Sequence, residues 1–275
     1  MVLPNLQELA ARTGASPVTR FAPSPTGYLH LGHVVNAIYV WGLARALGGR
    51  VVLRVEDHDR IRSRPVYDRA LLEDLDWLGF VPDEGRDPVR RQSADLPAYA
   101  RALDALRAAH HVYACDCSRR DIGGERYPGT CRTRALVETP GRGLRIQMDP
   151  EEESGDLLLR DRDGNWTYQF AVTVDDIRDA VTLVIRGADL RSSTGRQVRL
   201  GRMLGRSIPA HFFHHPLILG SSGEKLSKSN RDTGVRELRA AGVGAGGVIG
   251  RAAAAVGLVA PGTTVEAGEV GRLFA

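Results

Sequence analysis

The 275-residue chain predicts an α/β fold, a doubly wound parallel sheet interrupted by an insertion and closed by a short helical region. Three observations lead there. Short strand-like runs alternate with helix-period segments through residues 1–110. The same texture returns after a turn-rich interval at 111–165. Histidines and carboxylates gather at strand ends, where an open parallel sheet holds its ligand.

In order, the first 16 residues are polar with little periodicity and read as a tail before the first strand. Pro17 to Ala22 reads as that strand, and Val34 to Ala46 as an apolar helix stopped by Gly48 and Gly49. Between them, in RFAPSPTGYLHLGH, two prolines and Gly27 fix a strand-to-helix turn. His30 and His33, three apart, share one face of the opening helical turn, beside unpaired N–H groups and the positive end of the helix dipole. Such a turn suits phosphate. Arg50 to Val55 reads as the second strand and ends in Glu56-Asp57-His58-Asp59.

Pro65 opens a helix whose apolar positions Val66, Leu71, Leu72, Leu75 and Leu78 recur at helical spacing until Gly79. Another follows from Leu96 to His110, with Ser93 as its N-cap. From Tyr113 to Arg162 turns and charge dominate, and this interval holds every cysteine: Cys115, Cys117 and Cys131. Sheet-like sequence resumes at Trp166 to Val174, then at Ala180 to Ile185, ending in Arg186-Gly187-Ala188-Asp189. A basic helix, Thr194 to Leu204, comes next, and its neighbourhood carries Arg191, Arg196 and Arg199 as candidate RNA contacts or a solvated face. Pro216 to Leu219 reads as strand-like and leads into a Gly- and Ser-rich loop carrying Lys225 and Lys228. These are the only lysines among 37 basic residues, which points to a need for a compact, mobile ammonium there. The remaining stretch to Ala275 has room for two or three small helices.

With 43% apolar and 25% charged residues the composition is that of a soluble globular protein, and neither a membrane span nor a secretory signal is visible. A cytoplasmic monomer is expected. A net charge of +4 is compatible with a polyanionic partner. The cysteines are either small buried hydrophobes or three thiolates for a structural zinc ion.

HLGH and KLSKS on one chain resemble the class I aminoacyl-tRNA synthetases. RFAPSPTGYLHLGH, LRVEDHD, TYQFAVTVDD, VIRGADL and KLSKS, in that order over residues 18–230, resemble the glutamyl-tRNA synthetase group. The resemblance implies a Rossmann-like catalytic core in two halves, 1–110 and 166–232, a zinc-containing insertion at 111–165 and a helical region at 233–275, with no anticodon-binding domain. It implies that Arg20 and Arg186 bind the side-chain carboxylate of L-glutamate, that Glu56 with Ser24 holds its α-ammonium, and that Tyr168 adds a hydroxyl. Phe21, Ala22 and Pro23 complete that binding run. His30, His33 and Lys228 are then catalytic, and Gly32 and Lys225 join them in binding ATP with its Mg2+. One Zn2+ is implied on Cys115, Cys117, Cys131 and Tyr127. Asp175-Asp176-Ile177-Arg178-Asp179 is more charged than the group's usual run and leaves the contacts of that turn open.

Among truncated members of the group, the resemblance implies activation of glutamate without tRNA and transfer to queuosine in the anticodon loop of tRNA(Asp). The alternatives are a minimal enzyme charging the 3′ end of tRNA(Glu), or a non-enzymatic RNA-binding relative.

Overall fold

A computed structural model describes residues 5–14, 16–59, 62–124, 126–150, 153–218 and 234–275. In chain order its first part holds α1 (Leu6–Thr13), β1 (Val18–Phe21), α2 (Leu31–Ala46), β2 (Arg50–Leu53), α3 (Pro65–Leu78) and α4 (Leu96–Ala109). The middle holds β3 (Val112–Cys115), α5 (Arg119–Ile122), β4 (Gly143–Ile146) and β5 (Leu157–Arg160). Then follow α6 (Tyr168–Arg178), β6 (Leu183–Gly187), α7 (Ser193–Met203), β7 (His211–His215), α8 (Val235–Ala240) and α9 (Ala245–Ala255).

The parallel strands form two two-stranded sheets set side by side. β1 pairs with β2 and β6 with β7, each through one crossover helix, α2 and α7 respectively. They adjoin at β1 and β6, where Thr182 N donates to Val18 O at 2.9 Å and Val18 N to Thr182 Oγ1 at 3.1 Å. The chain thus leaves β1 toward one edge and β6 toward the other, which places a topological switch point between them.

Period-two alternation sorts the strands' side chains. Val51, Leu53, Leu183 and Ile185 join α2 in one core, whereas Val52 and Val184 pack with Val181 and Ala210 on the other face. Arg20, opposite Val52, and Arg54 and Arg186, each two residues beyond a second-face valine, fall on that second face.

Helix α2 is buried almost all round because the sheet covers one side and α9 with the 3-10 turn Ala267–Leu273 covers the other. Gly42 permits this closure, since a Cβ there would lie 2.2 Å from the Phe274 ring.

The turn-rich middle contains a three-stranded antiparallel sheet, β3-β4-β5, which sequence reasoning did not resolve. Leu144, Ile146, Leu157 and Leu159 from it share a core with Tyr99, Leu103 and Leu106 of α4 and with Phe170 and Leu200. Helix α4, placed by sequence with the first half, therefore packs on the insertion.

Four further expectations are corrected. Residues 6–13 are not a tail: Asn5 caps α1 by accepting from Gln7 N and Glu8 N, and Leu9 docks into the main core. Trp166 to Val174 is not a strand: Trp166 makes an isolated bridge to Arg160, and residues from Tyr168 onward form α6, whose pitch buries Phe170, Ala171 and Val174 together. Strand-like character ends at His215, ahead of Pro216, which has no N–H for a ladder. Ser93 is not the N-cap of α4; Asp95 is, and Ser93 instead gives both N and Oγ to Asp57. Among the described residues no helix is long and apolar enough to cross a membrane.

Candidate active site

The HLGH turn is a two-histidine cap. His30 precedes α2 and its Nδ1 accepts from Gly32 N at 3.1 Å, while His33 Nδ1 accepts from His30 N at 3.2 Å. With both Nδ1 atoms accepting, the neutral rings carry their protons on Nε2, as donors. The rings lie 4.0 Å apart by centroid. Gly32 makes room for this fold-back, since a Cβ there would meet the His30 ring at 2.9 Å. Both histidines and Gly32 line a cavity of about 360 Å³ over the switch point.

Arg186 enters that cavity from the end of β6. Only 4% exposed, it donates from Nη1 to Gln197 Oε1 (2.6 Å), from Nη2 to Thr194 Oγ1 (2.9 Å) and from Nε to His214 Nε2 (3.3 Å), and it lies over the Phe212 ring. All these partners are neutral; burial, then the Arg186 and Arg191 charges, push His214 down to about 4. Among the described residues no carboxylate pairs with Arg186. Burial pulls its own pKa down, and the charge of Arg20 adds to that. A desolvated guanidinium without an anion is costly, and an arriving carboxylate relieves the cost.

Arg20 is held differently. Its Nε donates to Asp176 Oδ1 at 3.1 Å and its Nη1 to Ile185 O at 3.2 Å, leaving Nη2 without a partner among the described residues. Glu56, 4% exposed, accepts from Arg54 Nη2 on Oε1 at 3.1 Å, and among the described residues no donor meets its Oε2. Arg20, Ala22, Glu56 and Tyr168 line the same cavity as Arg186. Phe21 does not, being packed on Trp41 in the core, and Pro23 and Ser24 also lie outside the lining. Lys225 and Lys228 lie outside the described residues.

Behind the cavity is a buried ionic network that sequence reasoning missed. Arg54, 1% exposed, donates to Asp176 Oδ1 (2.9 Å) and Asp179 Oδ2 (3.0 Å) as well as to Glu56. Asp175 accepts from Tyr99 OH (2.9 Å) and Gln92 Nε2 (2.8 Å). Burial raises Asp175 to about 6, whereas at Asp176 the Arg20 and Arg54 charges outweigh burial and lower the pKa. The charged run flagged in the sequence is thus the counter-charge for two arginines. The available signal was its spacing: Asp179 lies four residues beyond Asp175 and three beyond Asp176, the separations at which side chains are neighbours on a helix surface.

Cys115, Cys117 and Cys131 bring their sulfurs within 4.8 Å of one another. The Tyr127 hydroxyl accepts from Cys115 Sγ at 3.4 Å and from Cys131 N at 2.8 Å. Burial, then the bond to Cys131, pushes Cys117 up to about 12; at Cys115 burial is outweighed by bonds from Tyr127, the Cys117 backbone and Arg145. Thiols this close cannot all ionise without a cation among them. A tetrahedral zinc site sets its sulfurs about 3.8 Å apart, so the donor set fits that ion. Of the arginines near the basic helix, Arg191 is exposed, and Arg196 and Arg199 are half-buried.

The sequence model for the catalytic domain of tRNA synthetases class I (E and Q) matches residues 17–139 and 141–247. The chain belongs to this class I synthetase family. It is a ligase of the aminoacyl-tRNA synthetase type. Two curated relatives of this synthetase, each named Glutamyl-Q tRNA(Asp) synthetase, come from Nitratidesulfovibrio vulgaris and Synechococcus sp.. They are 39% and 40% identical over 87% and 91% of this chain, and 86% and 87% of their own lengths are covered. A solved glutamate tRNA ligase from Elizabethkingia meningosepticum, crystallised in complex with its amino acid, superposes with a TM-score of 0.66 at 29% identity over 79% of this chain. The synthetase spans 53% of that ligase, about half its length.

Proposed function

We propose that this synthetase activates L-glutamate with ATP in the absence of tRNA and transfers it to queuosine in the anticodon loop of tRNA(Asp). The observation that carries the glutamate reading is Arg186, buried and, among the described residues, with neutral partners only. The γ-carboxylate pairs with Arg186 and the free Nη2 of Arg20, the α-ammonium with Glu56 Oε2, and Tyr168 closes the side. Glutamine in the same pose would leave Arg186 desolvated and unpaired, so the site rejects it.

An α-carboxylate oxygen then attacks the α-phosphorus of ATP in line. The bond to the bridging oxygen breaks and pyrophosphate leaves, taking the electron pair. His30 and His33, through Nε2–H, and the dipole of α2 stabilise charge on the phosphate oxygens, joined by Lys225 and Lys228. Mg2+ arrives with ATP. The acceptor hydroxyl next displaces AMP from the glutamyl adenylate, with exposed Arg191 among the cations near the RNA backbone. The names of the curated relatives support the queuosine acceptor.

The deciding experiment offers three tRNAs with ATP and labelled glutamate: tRNA(Asp) with queuosine, tRNA(Asp) with unmodified guanine, and tRNA(Glu), each read by mass spectrometry. Product on the first alone is expected. Charging of tRNA(Glu) alone moves the enzyme to 3′-end aminoacylation, and no product on any refutes the transfer step.

We also propose one structural zinc held by Cys115, Cys117, Cys131 and Tyr127. Elemental analysis should find about one zinc per chain, and Cys131→Ser should lower that content and destabilise the insertion, with adenylate formation affected less. Metal-free protein of full stability would remove this site.

A further inference from the structure

The two ends of the proposed substrate are gripped by residues that hang from a single nitrogen. Arg54 Nη2 donates to Glu56 Oε1 at 3.1 Å and to Asp176 Oδ1 at 2.9 Å, and the same Asp176 oxygen accepts Arg20 Nε at 3.1 Å. All four side chains are buried, at 1% to 4% exposure except Asp176 at 6%. The chain Glu56, Arg54, Asp176, Arg20 therefore fixes the separation between the cation-binding carboxylate and one of the two anion-binding guanidiniums. Arg54 is itself clamped on its other arm by Asp179, at 3.0 Å, which is shared with Arg90.

We infer that Arg54 is a positioning residue that sets the length of the amino-acid substrate. It is not part of the lining of the substrate cavity and touches no ligand in the proposed pose; it acts by holding Glu56 and Arg20 at a spacing that a five-carbon amino diacid bridges and a four- or six-carbon one does not. A planar guanidinium suits this because it reaches three carboxylates in fixed directions, which a single ammonium cannot do. Within the α6 turn, Asp176 and Asp179 sit three residues apart and face the fork together.

The inference rests on the reading of the cavity as a glutamate site, and the test separates the two. ATP–pyrophosphate exchange is measured with glutamate, aspartate and α-aminoadipate for the unaltered enzyme, Arg54→Lys and Asp179→Asn. Loosening the fork is expected to lower the glutamate-to-aspartate ratio of kcat/KM by about tenfold in Arg54→Lys, the lower end of what one methylene is worth in a shaped site. In Asp179→Asn, which preserves shape and removes one clamp, about threefold is expected, a coupling of the size seen between contacting residues. Because all substrates are read on one sample, partial unfolding cancels in the ratio. A drop in glutamate turnover with an unchanged ratio means that Arg54 is only structural and overturns the inference. Should Arg54→Lys fail to fold, the Asp179→Asn ratio decides alone. Absence of glutamate-dependent exchange in the unaltered enzyme refutes the parent reading and the inference with it.

Discussion

Replacing Arg186 with glutamine is expected to lower kcat/KM for glutamate-dependent exchange by about a thousandfold while leaving the melting temperature equal or higher. The loss follows from removing a desolvated charge partner, which costs roughly 2–5 kcal/mol, or about 30- to several-thousandfold at 1.4 kcal/mol per decade. The opposite sign for stability follows from the same burial. In the ligand-free protein Arg186 is 4% exposed, and its partners Gln197, Thr194 and His214 are neutral, with no carboxylate paired to it among the described residues, so its charge is a standing cost that the neutral amide does not carry. Arg186→Lys should rescue little, because one ammonium cannot reproduce the fork that meets Thr194 and Gln197 while facing a planar carboxylate. A thermal melt and an exchange assay on the same preparations check both halves. A steep fall in melting temperature, with activity lost in proportion to unfolded protein, assigns Arg186 a structural role instead.

The parts of this site that were legible in sequence are those where a local rule and the global fold agree. The HLGH turn combines a strand end, a fold-back glycine and a helix start within a few residues, so its chemistry is visible without knowing what packs on it. Arg20, Glu56 and Arg186 sit at or just past strand ends, and the period-two pattern carries them to a switch point. The α6 segment was not legible, because TYQFAVTV is rich in aromatic and β-branched residues that favour strands. Tertiary demand overrides that preference: Phe170 and Val174 fill the core shared with α4, and Asp175, Asp176 and Asp179 must meet Arg54 together. Only a helix satisfies both. Arg54 was overlooked for a related reason. A lone arginine near the end of a strand reads as surface charge, and its burial becomes evident only when the acids from residues 175–179, far along the chain, close over it. The zinc-type cluster was legible as composition but not as geometry, since β3 brings Cys115 while the loop after α5 returns Cys131 to it.

Changing His33 should separate its capping of α2 from its proposed role toward phosphate. Its Nδ1 accepts the His30 backbone N–H and so completes the cap of α2, and the residue lines the cavity. A cap is worth about 1 kcal/mol of stability, whereas a preorganised donor aimed at transition-state charge is worth roughly 100- to 1000-fold in rate. His33→Asn offers a side-chain oxygen to His30 N but no ring donor. It should keep stability within about 1 kcal/mol of the unaltered enzyme and still lower exchange by about 100-fold. His33→Ala should show the same loss of rate with the cap's stability lost in addition. The fall should appear in kcat, with KM for ATP nearly constant, because the donor matters most once charge develops on the phosphate. With ring centroids 4.0 Å apart, His30 and His33 are close enough to share one phosphate in the proposed site, so the double substitution should cost less than the product of the two single ones. Steady-state exchange across ATP concentrations, run beside denaturant melts, measures all of these quantities. A His33→Asn enzyme with near-normal kcat would confine His33 to capping and leave the phosphate to His30 and the two lysines.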